Sequence, residues 1–299
     1  MIDNPFRCGF VAVVGRPNVG KSTLINTILG HKISIVTPKP QTTRHRILAV
    51  DTRQDCQIIF IDTPGIHRNA GKAMNRLMNR TATNALIDAD IVLFMSEAKR
   101  WTAEDQYVLQ RLQSTSAPVI ALLNKTDKIH PKERLLPALA EMAHRYKFAE
   151  VMPISAKRHD NLDKLMKIIP GFLPESAPLF PEDMISDRSQ SFRVAEIIRE
   201  KLTLCLRQEV PYGLTVQIER YTEEAAGIEI HAIVWVERNS QKGIVVGKNG
   251  SVLKKVGRAA RLELKAREGV PVHLELWVKV KDNWADSEKD LLRLGYESP

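Results

Sequence analysis

No apolar run in this 299-residue chain approaches the roughly 18 residues that a membrane-spanning helix needs. Cysteine is nearly absent as well. Cys8, Cys56 and Cys205 lie far apart with no C-x-x-C pair, which excludes a disulfide framework and a cysteine zinc site and leaves burial as their expected role. The N-terminus has no signal-peptide layout, because its apolar run leads straight into a glycine loop, and a cytoplasmic location is expected. There is no internal repeat and no low-complexity tract. The second part of the chain also lacks net charge. The chain carries +9, but residues 181–299 hold 19 basic and 19 acidic side chains, so the whole excess lies in residues 1–180. A high pI of about 9.5 therefore does not by itself make the second part a nucleic-acid binder.

What is present is a series of five short motifs. The first, Gly15-Arg-Pro-Asn18-Val19-Gly20-Lys21-Ser22, has the spacing G-x-x-x-x-G-K-[ST]. It follows the apolar run 10–14, which reads as a buried strand. A helical pattern follows, with Leu24, Ile25, Ile28 and Leu29 on one side and Gly30 as its stop. In that setting the glycines let the N–H groups of residues 15–20 turn inward around phosphate oxygens, and the helix start at Ser22 and Thr23 adds its positive dipole end. Lys21 is expected on the β- and γ-phosphates and the Ser22 hydroxyl on Mg²⁺. Asp62-Thr-Pro-Gly65 closes a second apolar strand about forty residues later, where a Mg²⁺-orienting carboxylate belongs, and the Gly65 N–H is placed to sense the γ-phosphate. Between them, residues 33–46 read as a mobile loop in which Thr42 or Thr43, with Thr43 favoured, ligates Mg²⁺ when the γ-phosphate is present.

Base identity comes from Asn124-Lys125-Thr126-Asp127, at the end of the apolar run 119–123. A carboxylate at Asp127 can accept from guanine N1–H and from its 2-amino group. Adenine offers neither donor, and a buried charge left unmatched is costly. Asn124 is expected to brace the loop and Lys125 to lie along the ring. Ser155-Ala156-Lys157, one α/β unit further on, offers a backbone N–H to guanine O6. These residues specify GTP and GDP rather than adenine nucleotides.

The chain divides by pattern. Residues 1–172 alternate strand-like and helical runs, which implies an α/β P-loop domain with a mainly parallel sheet and helices on both faces. Residues 173–190 are proline-spaced and read as a linker. Residues 191–299 then read as a helix near 192–208, strands near 214–221 and 228–237, a glycine-broken helical region over 241–267, a strand over 272–280 and a final helix near 284–294. Inside the broken helical region stands Gly247-Lys248-Asn249-Gly250. Asn-Gly is also a hairpin signal, but Val252, Leu253, Val256, Ala260 and Leu264 follow at helical spacing. Helix–GKNG–helix in the order α-β-β-α-α-β matches a type II KH module, whose close-packed glycines clamp about four nucleotides of single-stranded RNA. Lys254, Lys255 and Arg258 line the same segment, and residues 242–267 carry eight basic residues against the single acid Glu263. Trp235 and Trp277 lie in strand patterns and are expected in the core. Arg68, Lys72, Arg76 and Arg80 recur every fourth residue and form a stripe if that segment is helical, as either a solvated face or a contact to RNA or the ribosome.

One further absence bears on rate. Many small GTPases carry glutamine after D-x-x-G to orient the attacking water; here Ile66 stands there and intrinsic hydrolysis is expected to be slow. Asn18 either stabilises its loop or helps to hold a K⁺ that supplies charge stabilisation. The nucleotide site itself is read as a switch, with a mainly structural site, or another translation-factor-like GTPase, as the alternatives.

The paired domains, the G-K-N-G loop and the segment Phe180-Pro-Glu-Asp-Met-Ile-Ser-Asp-Arg188 resemble the Era-like family of bacterial GTPases over essentially the whole chain. The resemblance implies a monomeric GTPase that binds the 3′ end region of small-subunit ribosomal RNA and assists maturation of the small ribosomal subunit. It also implies peripheral association with the inner membrane.

Overall fold

The computed structural model describes residues 5–66, 68 and 71–296. Uninterrupted apolar runs make strands buried on both faces. Four such runs, β1 (Arg7–Val14), β3 (Cys56–Asp62), β4 (Ile91–Glu97) and β5 (Val119–Asn124), form a parallel set with the shorter, partly exposed edge strand β6 (Glu150–Pro153). β2 (Ile47–Thr52) joins antiparallel at one edge, giving the order β2-β3-β1-β4-β5-β6. Alternation decides what each side packs against. Ala12, Val14, Val92, Phe94, Ala121 and Leu123 meet residues of α2 (Ala73–Ile87), α3 (Ala103–Arg111) and α4 (Leu135–Arg145). Val11, Val13, Leu93, Ile120 and Leu122 point the other way and are just as buried. α1 (Lys21–Leu29) packs on β2 and β3, and α5 (Leu162–Ile168) follows β6. This first unit runs to Asp187, apart from residues 72–74, which group with the second.

The proline-spaced segment is strapped to the first unit. Cys8 N–H donates to the Pro174 carbonyl, and Ser176 N–H donates to that of Phe6, both at 3.1 Å. The fully buried Gln57 accepts at Oε1 from the N–H groups of Leu179 and Phe180, at 2.8 and 2.9 Å, and returns Nε2 to the Phe180 carbonyl at 2.8 Å. Val50 N–H then donates to the Ile185 carbonyl, Asp187 N–H to that of Leu48, and Leu48 N–H to Asp187 Oδ1.

The second unit, from Arg188, has the order α6 (Gln190–Cys205), β7 (Leu214–Glu224), β8 (Gly227–Val236), α7 (Asn239–Val246), α8 (Ser251–Glu268), β9 (Val272–Val280), followed by α9 (Glu288–Arg293). Its sheet is β7-β8-β9, antiparallel then parallel, and Ile197, Ile198, Val234, Val256, Ala260 and Leu264 share its core. Ser189 caps α6 by accepting from Phe192 N–H, which starts that helix two residues earlier than its apolar pattern. The tryptophans overturn their expected place. Ala232 and Val234 pair with Leu276 and Val278 on the core side, so Ile233 and Trp235 fall opposite Trp277 and Lys279 on the outer face. Trp277 is 41% exposed. The strict two-residue period of Val-His-Leu-Glu-Leu-Trp-Val-Lys-Val, with Val272 and Val278 inward, puts Trp277 outward despite its large apolar ring. The basic stripe is likewise shorter than its spacing implied, since α2 begins at Ala73 and carries only Arg76 and Arg80.

Candidate nucleotide and RNA sites

The carboxyl ends of β1, β3, β4 and β5 converge on one cavity of about 620 Å³. After β1 the chain turns back through Gly15 and enters α1 through Gly20, whose φ of 111° lies in the left-handed region. No side chain fits at Gly20, because a Cβ there would stand 2.4 Å from Asn124 Nδ2. Lys21 is buried beneath this loop, with Nζ donating to the carbonyls of Gly15 and Arg16 at 3.2 and 3.3 Å. Burial lowers its pKa to about 8, against the opposing pull of Asp62. Asn18, Gly20, Ser22, Thr23, Thr43, Gly65, Lys125 and Lys157 all line the cavity.

Three oxygen-bearing side chains meet at its floor. Ser22 Oγ lies 2.8 Å from Thr43 Oγ1 and donates to Asp62 Oδ2 at 2.8 Å. Asp62 is fully buried, and burial raises its pKa above the ordinary carboxylate value despite Ser22 and Lys21. Two hydroxyls and one carboxylate make an all-oxygen donor set suited to a hard cation such as Mg²⁺. Thr42 also lines the cavity, but its hydroxyl is tied to Thr37 Oγ1 at 2.7 Å and donates to the Lys39 carbonyl at 2.8 Å, so Thr43 alone of the two threonines joins Ser22 and Asp62. Asn18 Nδ2 donates to the Pro38 carbonyl at 2.8 Å. Ile66 is turned into the core with residues of α2 and α3.

Asn124 links three loops. Its Nδ2 donates to the Val19 carbonyl at 2.7 Å, and its Oδ1 accepts from Ala156 N–H at 3.0 Å. Lys125 takes a left-handed backbone, with φ 65°, and its Nζ donates to the Asn18 carbonyl at 2.7 Å. Asp127 Oδ1 accepts from Ser155 Oγ at 2.7 Å; that hydrogen bond, above all, holds the carboxyl below its ordinary pKa. Glu97, which the sequence reading passed over, ends β4 opposite Asn124 and bonds Lys125 Nζ. It also faces Arg16 Nη2 at 3.3 Å. Burial works to raise the Glu97 pKa, but Lys125 and Arg16 outweigh it and leave it lowered. Like Asp62 it is an acid that closes a strand, but without a D-x-x-G pattern only the position of β4 between β1 and β5 singles it out.

In the second unit, α7 gives way to α8 across the four-residue loop. Gly247, Asn249 and Gly250 all have positive φ, at 72°, 51° and 75°. At Gly247 a Cβ would stand 2.6 Å from Val252 Cγ2. Val256, Ala260 and Leu264 anchor α8 in the core, while Lys248, Asn249, Lys254, Lys255 and Arg258 lie outside it. A loop without side chains at Gly247 and Gly250 thus stands beside a set of cations, so that phosphate can approach both closely.

Taken together, fold and site define a guanine-nucleotide P-loop protein with a C-terminal KH domain. Residues 10–125 match the family described as 50S ribosome-binding GTPase, and residues 209–285 match the KH domain family. GTPase Era of Pseudomonas fluorescens is 48% identical over 293 residues, covering 98% of each chain. That of Pseudomonas aeruginosa is 50% identical over 290 residues, covering 97% of this chain and 95% of its own. A crystal structure of Era with MgGDPNP and nucleotides 1506–1542 of 16S ribosomal RNA superposes with a TM-score of 0.94 at 41% identity, covering 97% of this chain and 99% of that one. An Aquifex aeolicus Era variant bound to GDP·AlF4⁻ superposes equally well. The chain belongs to the Era family of GTPases.

Proposed function

We propose that this protein hydrolyses GTP and uses the nucleotide state to control engagement of the 3′ end region of small-subunit ribosomal RNA, as an assembly factor of the small subunit. The observation that carries this is the whole-chain match to a relative holding both MgGDPNP and that RNA, with a positive-φ G-K-N-G loop in the same chain. Lys21 and the loop from Gly15 to Thr23 bind the phosphates, whose negative charge opposes the lowering of the Lys21 pKa by burial. Ser22, Thr43 and Asp62 hold Mg²⁺, which when bound offsets charge on the β- and γ-phosphates. Gly65 reports the γ-phosphate. Asp127 reads the guanine edge, Lys125 flanks the ring, and the Ser155–Lys157 turn supplies the O6 donor. Gly247 to Gly250, with Lys254, Lys255 and Arg258, takes the RNA backbone.

With Ile66 in the core, no side chain at that position orients water, which fits slow intrinsic turnover. We place K⁺ near Asn18, whose amide already bridges the glycine loop and the Thr37–Thr43 loop. Faster turnover in KCl than in NaCl at matched ionic strength is expected, and equal rates would remove the ion. Action in the cytoplasm fits the ribosomal partner. Among the described residues no helix is long and apolar enough to cross a membrane, and peripheral membrane association rests on family resemblance, testable by vesicle flotation. The central test measures affinity for a single-stranded RNA of the rRNA 3′ end, in GDP and in a non-hydrolysable GTP analogue, at fixed salt. A tighter complex with the analogue gives the coupling free energy between the sites. No RNA binding in either state would refute the reading.

A further inference from the structure

The loop that reads the base and the loop that holds the phosphates share one carboxylate. Glu97 closes β4, its Cα in register with Asn124, so its side chain emerges between the ends of β1 and β5. One oxygen takes Lys125 Nζ; the other faces Arg16 Nη2 at 3.3 Å. Arg16 is itself fixed, because its Nε donates to both oxygens of Asp105 at 3.1 Å. Asp105 is wholly buried and is held by the α3 capping box, accepting from Thr102 N–H and Thr102 Oγ1 at 2.9 and 2.6 Å. An unbroken chain of charge-assisted contacts therefore runs from the start of α3 through Arg16 and Glu97 to Lys125. Lys125 needs such a partner. Its four-carbon stem is rich in rotamers, and a protein carbonyl, that of Asn18, supplies its other contact.

We propose that Glu97 is a positioning residue for guanine-nucleotide binding, holding the Lys125 stem along the plane where the base lies and fixing the base loop against the phosphate loop. This rests on the nucleotide-site reading above. Glu97 lines the cavity beside Lys125 and Asn18, about a quarter exposed, so its removal leaves no buried hole. Without Glu97, Arg16 keeps its pair with Asp105, while Lys125 and the Arg16 Nη2 group lose the carboxylate that joins their two loops.

The test uses full-length protein with Glu97→Ala and Glu97→Asp, and follows GDP, a GTP analogue and inosine diphosphate by stopped-flow release. In Glu97→Ala, Kd for GDP and for the analogue is expected to rise by the same factor, about tenfold, chiefly through faster dissociation. The ratio of GDP to inosine diphosphate affinity should hold, because the ring plane is common to both bases and the 2-amino group is read by Asp127. kcat at saturating GTP should also hold, since Glu97 touches no reacting atom, and Glu97→Asp should recover most of the affinity. Unchanged Kd, or a lower melting temperature without nucleotide and no change in Kd, would overturn the proposal and leave Glu97 a structural ion pair. A collapsed base ratio or a matching fall in kcat would overturn it as well. Wild-type protein that failed to bind GDP would instead refute the nucleotide-site reading itself.

Discussion

Replacing Asn124 by alanine should cost the first unit stability before any nucleotide is added. The side chain is 2% exposed and makes two hydrogen bonds between loops, to the Val19 carbonyl at 2.7 Å and from the Ala156 N–H at 3.0 Å. Truncation leaves one acceptor and one donor buried and unpaired, each costing about 1–3 kcal/mol. The cavity beside them admits water, so the lower part of that range applies, about 2–3 kcal/mol for the pair. For a unit of this size 1 kcal/mol moves the melting midpoint by about 2–4 °C, giving a fall of roughly 4–12 °C. Amide exchange in β1 and β5 follows this unit alone, and protection there should drop by about 30- to 150-fold, the same free energy expressed as an opening constant. GDP affinity should fall too, because Val19 and Ala156 lose their common brace. Unaltered exchange in β1 and β5 without nucleotide would show that the three loops hold their places without Asn124, and its role as their brace would be refuted.

Other outcomes follow from the geometry. Gly247→Asp with Gly250→Asp should weaken RNA binding by putting negative charge where phosphate must approach, although a Cβ at Gly247 also crowds Val252 at 2.6 Å. Lys254→Glu with Lys255→Glu avoids that strain, and should lower both the affinity and the salt slope, the slope by about one unit for each phosphate no longer neutralised; an unchanged slope would remove α8 from the interface. The preference for GDP over inosine diphosphate should be flat between about pH 5 and pH 8, because Asp127 lies below the ordinary value of 3.8 and gives up its acceptor role only as pH falls through that lowered pKa. Ser155→Ala, which removes the main cause of the lowering, should start that decline at higher pH, and a ratio that fell within the neutral range would mean another group reads the base.

Most of the nucleotide site was readable because each motif carries its own chemistry at a strand end: Lys21, Asp62, Asn124 and Asp127 stand where β1, β3 and β5 stop. The same holds for the second unit, where helical spacing around Gly247 and Gly250 gave the element order. Glu97 escaped because a lone glutamate after an apolar run has no motif, and its meaning depends on β4 lying between β1 and β5, a fact of strand order rather than spacing. Thr42 and Thr43 are adjacent and chemically alike, so only the folded loop separates them. Trp277 is large and apolar, but its place in the strand's two-residue alternation, not its size, sets the face it takes. The proline-spaced segment was opaque for a different reason: it has no regular element of its own, and its partners are backbone groups of Phe6, Cys8 and β2 and the side chain of Gln57, more than a hundred residues away.

That segment also settles how the protein should be dissected. β2 is the edge of the six-stranded sheet, and an exposed edge strand is a template for pairing with another chain. Residues 185–187 occupy the backbone groups of Leu48 and Val50, and Pro178 and Pro181 nearby lack an N–H of their own with which to extend the ladder outward. A fragment cut at residue 172 would keep every nucleotide motif and yet bare this edge, leaving it prone to self-association on storage. One ending after Asp187 would carry its own cover.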